Sequence, residues 1–287
     1  MFEIFTDSSS NLPYEYIEKN DIKVVTFTYS IGGERREGYV RGEDFDGATF
    51  YSEMRGGAHV STSMISIGDF CDAFSAALDE GRDVLYLGMS GGISGAFNAS
   101  VLAAEELADR FPDRKIIPVN TRAASLGEGM AVIEAVRQRG LGADIETAAA
   151  AVEKYCDNIC QYFIVDDLKY LRRGGRIPAA LALVGSVLNV KPILTGSADG
   201  HIVSCGKALG RKRALEALAD KYASLAADKS SDIFIAHADC SQQADMLVDM
   251  LSARGFDGRC IRQMYEPVTG SHVGPGALAL FFCGTEK

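Results

Sequence analysis

The chain has 287 residues, 47% hydrophobic and 24% charged, the balance of a globular protein of two domains rather than of a disordered or fibrous chain. Its net charge of −10 sets most of the surface against a phosphate backbone, so no nucleic-acid partner is expected. No apolar run reaches the ~20 residues of a membrane span, and the chain opens on strand-like Phe2-Glu3-Ile4-Phe5 without a basic leader, which predicts a cytoplasmic protein with no integral membrane segment.

Phe2 to Phe5 reads as the first strand, followed by an amphipathic helix over Tyr14 to Lys19, a β-rich run from Val24 to Tyr29 and a turn at Gly32-Gly33. Val84 to Leu87 is a buried strand feeding a helix from Ser94 to Arg110, and Lys115 to Val119 is the next strand, before a helix over Ser125 to Arg139. Such alternation predicts a largely parallel sheet covered by helices. An Ala-rich helix from Asp144, its N-cap, to Asn158 closes this half, and the expected boundary divides the chain into 1–158 and 159–287.

The second half reads as α+β. Pro192 to Thr195 and His201 to Ser204 are short strands joined through Asp199-Gly200, a hairpin signal. Helices over Arg211 to Ala226 and Ser241 to Arg254 alternate with strands at Ile233 to Ile235 and Cys260 to Arg262, and Ala277 to Phe282 is a last apolar strand. With no repeat or linker between them, the halves are expected to pack directly and to bind a ligand in their cleft. The seven cysteines are read as reduced core residues. Cys156 and Cys160, four apart, would share a helical face but lack further zinc ligands, and no metal or cofactor is expected.

Ser90-Gly91-Gly92-Ile93-Ser94-Gly95, between a strand and a helix, suits an anion: small residues admit a ligand to the backbone, and the open N–H groups of the helix hold a carboxylate or phosphate. A plain Gly-rich turn capped by Ser94 explains it equally well. Gly88-Met89-Ser90-Gly91-Gly92 also satisfies G-x-S-x-G, so an esterase using Ser90, with Asp239 and His272 in the right order, is the alternative, though no oxyanion segment precedes it. The glycines around Lys207 have the wrong spacing for a P-loop.

Asp7 and Ser10, after the first strand, are read as satisfying backbone groups, and Ser61-Thr62-Ser63 as either a ligand contact or a helix cap. Lys169 to Arg176, with Arg172, Arg173 and Arg176, is a basic patch for an acidic partner or phosphate, or else a solvated helix end. His272, in rigid Val273-Gly274-Pro275-Gly276 surroundings, is a placed polar group, whereas His237 is read as hydrogen-bonded core.

In this order the segments resemble the DegV family along nearly the whole chain, most specifically Asp166 to Ile177, Asn189 to Leu194 and His272 to Gly276. The resemblance implies a two-domain α/β fold, with an N-terminal three-layer α/β/α domain on a mostly parallel sheet and a C-terminal α+β domain with a mainly antiparallel sheet. It implies a long-chain fatty acid such as palmitate in an apolar tunnel, its carboxylate held by Thr62 and Ser94, with Ser63 and Gly95 adjoining and His272 beside it. In family members that serve as kinase subunits, a separate ATP-dependent protein phosphorylates that carboxylate. The matching partner-facing residues here are His272, Arg173 and Arg211. Such a protein binds lipid and is not itself an enzyme. Met64-Ile65 stand where the family often has Gln-Pro.

Overall fold

The computed structural model describes residues 2–38, 45–178 and 189–285. In the first half the elements are β1 (Phe2–Asp7), α1 (Tyr14–Lys19), β2 (Ile22–Val25), β3 (Thr28–Ile31), β4 (Glu34–Glu37), α2 (Gly47–Arg55), β5 (Val60–Ser63), α3 (Ile67–Asp79), β6 (Asp83–Gly88), α4 (Ala96–Ala108), β7 (Ile116–Asn120), α5 (Leu126–Gly140) and α6 (Ile145–Cys156). They are followed by β8 (Ile159–Ile164), α7 (Lys169–Arg173), β9 (Val190–Gly196), β10 (Ile202–Leu209), α8 (Arg211–Leu225), β11 (Ile233–His237), α9 (Ser241–Ser252), β12 (Cys260–Met264), α10 (Pro267–Val273) and β13 (Leu278–Cys283).

The strand β1 is buried at every position, as a strand covered on both faces must be. It lies in a parallel sheet of order β2-β1-β6-β7, with Ile4 opposite Ile22 on one side and Leu85 on the other. On one face, Phe70 and Phe74 of α3 and Ala99 and Ala103 of α4 pack against Phe5 and Tyr86. On the other, α5 and α6 complete a three-layer α/β/α arrangement. A second sheet, of order β10-β9-β8-β13-β11-β12, is antiparallel except for the β11–β12 pair, and α8 and α9 cover one of its faces. Its other face meets α5, so a single core runs from Leu85 through Leu126 to Phe281 and ties the two sheets to one helical layer. Among the described residues no helix is long and apolar enough to cross a membrane.

The run from Val24 to Tyr29 is not one strand. It breaks at Thr26-Phe27, where the Phe27 N–H donates to Ser8 Oγ (3.1 Å) and its carbonyl accepts from Gly38 (2.7 Å), so β2 stays in the parallel sheet. The following residues start an unexpected antiparallel sheet of order β4-β3-β5. Ser61 to Ser63 therefore belong to a strand rather than a helix start. The cap of α3 is Ser66, in a reciprocal capping box with Asp69. Cys156 closes α6 while Cys160 lies on β8, so they share no helical face.

Candidate functional site

The loop after β6 is held from behind by a buried acid. Asp7 caps the 3-10 turn Ser8–Ser10 through the Ser9 N–H (2.9 Å), and its other oxygen accepts from Tyr86 Oη (2.9 Å) and the Met89 N–H (3.0 Å). It is thus a backbone organiser, as read from sequence, and it does not line the cavity described below. Ser9 Oγ lies within 2.5 Å of Asp7 and 2.6 Å of Glu128. One hydroxyl proton serves only one of them, so the other contact needs a carboxyl proton. Burial and the neighbouring Asp7 push Glu128 well above the usual carboxylate range, and burial raises Asp7 as well, so the pair holds that proton between them.

Beyond Met89 the chain turns tightly, the N–H groups of Ile93 and Ser94 both donating to the Ser90 carbonyl at 3.1 Å. The helix α4 then starts at Ala96, two residues later than expected, with Gly95 at its N-cap, and Ser94 Oγ accepts from the Ala96 N–H (3.2 Å). Gly92 presses on the β9–β10 turn, where a Cβ would come within 2.6 Å of the Gly200 carbonyl carbon.

A second polar arm comes from far along the chain. Thr62 Oγ1, on β5, and His272 Nε2, on α10, are 2.9 Å apart. Burial, reinforced by the Arg176 and Arg173 guanidinium groups, lowers His272 to about 4, so the imidazole is neutral at physiological pH. Its seat depends on Gly174, at the end of α7, where any Cβ would collide with the ring. Gly274 lies as closely against the Tyr170 ring and Gly276 against the Asp166 carboxylate, both glycines at φ near +79°. The segments Asp166 to Ile177 and His272 to Gly276 are therefore two halves of one packed unit.

Thr62, Ser94, Gly95, His272 and Arg176 all line one cavity of about 250 Å³, as do Ser90 and Met64. Phe27, Met89, Phe163, Leu171, Ala279 and Phe281 give it an apolar wall. The arrangement joins an apolar interior to a cluster of hydroxyls, an imidazole and a guanidinium, which suits an amphiphile with an anionic head. Arg176 is held at this edge by a bond from its Nε to the Ile93 carbonyl (3.0 Å). Arg172 and Arg173 are exposed on α7, with Arg173 stacked over Tyr170.

Two residues expected at the site lie elsewhere. Ser63 is exposed and does not line the cavity, because neighbours on a strand point to opposite faces and Thr62 takes the inward one. Arg211 is tied into the fold, with Nη2 donating to the Gly276 carbonyl (2.7 Å) and Nη1 pairing with Asp166 (3.4 Å), so it fixes the His272–Gly276 segment rather than facing outward. The serine-hydrolase constellation is not assembled. Ser90 Oγ donates to the Gly200 carbonyl (2.8 Å) and accepts from Gly92 (3.1 Å), His272 is bonded to Thr62, and Asp239 pairs with Arg55. His237 ends β11 with Nδ1 accepting from Cys240, as a structural histidine.

Sequence reasoning missed Arg122 to Ser125 and Thr269, which also line the cavity. The first group follows β7, and the rule that ligands collect at carboxyl ends of parallel strands could have flagged it. Thr269 carried no local signal.

Compared with known proteins, residues 1–285 match the model of the DegV family of uncharacterised proteins. A DegV domain-containing protein of Clostridium perfringens is 35% identical over 289 residues, covering 100% of this chain and 98% of its own. Among solved structures, the chain resembles a fatty-acid-binding DegV family protein of Thermus thermophilus (30% identity, 98% of each chain, TM-score 0.86). It also resembles the fatty-acid-binding DegV of Bacillus subtilis (27% identity, 99% of each chain, TM-score 0.82).

Proposed function

Since this chain belongs to the DegV family, we propose that it binds a long-chain fatty acid in the cavity and presents the carboxylate to a partner ATP-dependent fatty-acid kinase in the cytoplasm, itself performing no chemistry. The observation that carries the reading is the pairing of Thr62 with a neutral His272 at one polar end of a cavity walled largely by apolar side chains, next to Ser94 and the start of α4. Burying about 14 methylenes at ~0.8 kcal/mol each supplies a gross drive of roughly 11 kcal/mol, which ordering of the chain reduces. An unpaired carboxylate would cancel much of the remainder. The hydroxyls of Thr62 and Ser94 and the Gly95 backbone are the donors this reading assigns to it, with His272 beside them and Arg176 adding charge. Exposed Arg173, whose charge reaches His272, and its exposed neighbour Arg172 are the assigned contact for a phosphate-carrying partner.

Mass spectrometry of lipid extracted from the denatured, purified protein tests the binding step, with one equivalent of long-chain acid expected. No acid in the extract, and no uptake of added palmitate or oleate, would overturn it. Delivery is tested by reconstitution with a bacterial fatty-acid kinase and labelled ATP: acyl phosphate is expected with the wild type and a loss with Arg172→Glu/Arg173→Glu. Equal turnover by both would refute the role of the basic patch.

A further inference from the structure

Among the described residues two methionines, Met64 and Met89, line the cavity, and they stand differently to solvent: Met89 is 6% exposed and Met64 is 53% exposed. The chain on either side of Met64 is fixed. Thr62 and Ser63 pair with Tyr29 and Thr28 of β3, Ile65 is buried in the same core as Phe70 and Phe74, and Ser66 caps α3. The Met64 side chain lies on Gly95, where an added Cβ would come within 3.0 Å of Sδ and 3.4 Å of Cε. Gly95 is the N-cap of α4, so an exposed thioether covers the helix start to which the carboxylate is assigned.

A thioether suits that place only in its reduced form. It is apolar and flexible, able to cover the ligand head without competing for its donors. Oxidation places on the sulfur an oxygen that accepts hydrogen bonds and donates none. Beside Gly95 and Ser94 that oxygen would take the donors a carboxylate needs, and it would turn its own negative end toward the ligand. A glutamine amide at the same position could still donate, so the liability belongs to methionine.

Resting on the fatty-acid reading above, we propose that Met64 is an oxidation site that controls the hold on the carboxylate, a hydroperoxide converting it to the sulfoxide and so promoting release of the fatty acid. The sulfur lone pair attacks the distal peroxide oxygen, an S–O bond forms as the O–O bond breaks, and the peroxide leaves reduced, as water or an alcohol. A thiol-dependent sulfoxide reductase reverses the step.

The test treats delipidated protein with hydrogen peroxide, locates the added oxygen by peptide mass mapping and measures palmitate affinity by calorimetric titration. Met64 is expected to oxidise before buried Met89, with affinity falling about tenfold or more, the worth of a hydrogen bond to a charged group. Methionine sulfoxide reductase with dithiothreitol should restore it, and dithiothreitol alone should not. Met64→Leu retains every cysteine and exposed Met246 of α9, and after the same treatment should keep the affinity of its own untreated sample. Met64 sulfoxide with unchanged affinity overturns the proposal, as does oxidation of Met89 ahead of Met64 or an equal loss in Met64→Leu; all three leave fatty-acid binding intact. If the untreated wild type takes up no palmitate, the fatty-acid reading falls and this inference with it. The reductase comparison in the wild type decides the matter even if the variant fails to fold.

Discussion

Gly174→Ala isolates the packing that seats His272. Gly174 closes α7 at φ −71°, ψ −11°, where alanine is fully allowed, so the backbone alone would gain about 0.4–1 kcal/mol from the change. The added Cβ, however, would overlap His272 Nδ1 and lie 3.0 Å from Cε1. The ring has little room to retreat, being bonded to Thr62 at 2.9 Å. Overpacking of this kind costs about 1–3 kcal/mol, and losing the Thr62 contact adds about 0.5–1.5 kcal/mol.

The displacement is directed at the polar end of the cavity. Fatty-acid affinity should therefore fall about tenfold, equivalent to ~1.4 kcal/mol. Displacement of a fluorescent fatty acid, run beside chemical denaturation, measures both quantities. In a His272→Ala background the alanine has nothing to strike, so Gly174→Ala should there be neutral or stabilising, and the double-mutant cycle should show coupling. Equal cost in both backgrounds would refute the reasoning.

Glu266 makes stability depend on pH with a definite sign. Burial pushes its carboxyl group up to about 7, so the stability it contributes is complete below the ordinary value of 4.5 and is lost as pH rises through 7. His272, lowered to about 4, has the opposite slope, losing stability as pH falls from 6.5. Denaturation of Glu266→Gln across pH 4.5 to 7 should therefore show stability rising more steeply with pH than in the wild type, and parallel profiles would contradict the assignment. Asp7→Asn sets an amide where two carboxylate oxygens serve four donor contacts, leaving a buried donor unpaired at a cost of about 1–3 kcal/mol in the denaturation midpoint. A wild-type midpoint would show that Asp7 does not organise the loop. A fluorophosphonate probe should leave Ser90 unlabelled, because its hydroxyl is spent on Gly200 and Gly92, and a covalent adduct on Ser90 would revive the hydrolase reading.

Periodicity alone placed most elements of both large sheets, and the cap at Asp144 formed as expected, because these features depend on near neighbours in the chain. The small β4-β3-β5 sheet escaped notice because the break at Phe27 is made by Ser8 and Gly38, partners that no local pattern reveals. The same distinction holds at the site. The residue types, hydroxyls beside a Gly-rich strand-to-helix turn and a histidine in a Gly-Pro-Gly setting, were legible in the sequence as candidates for anion contact. Strand direction then turned Thr62 inward and Ser63 outward, and the Gly276 carbonyl and Asp166 drew Arg211 into the fold. Thr269 and Ser125 entered the cavity through contacts that span more than a hundred residues, such as Asn11 with Ser125 and Glu266. Sequence by itself determined which chemistries were present and which elements carried them. Tertiary structure decided which groups meet, because hydrogen bonds and steric fit act between residues that only folding brings together.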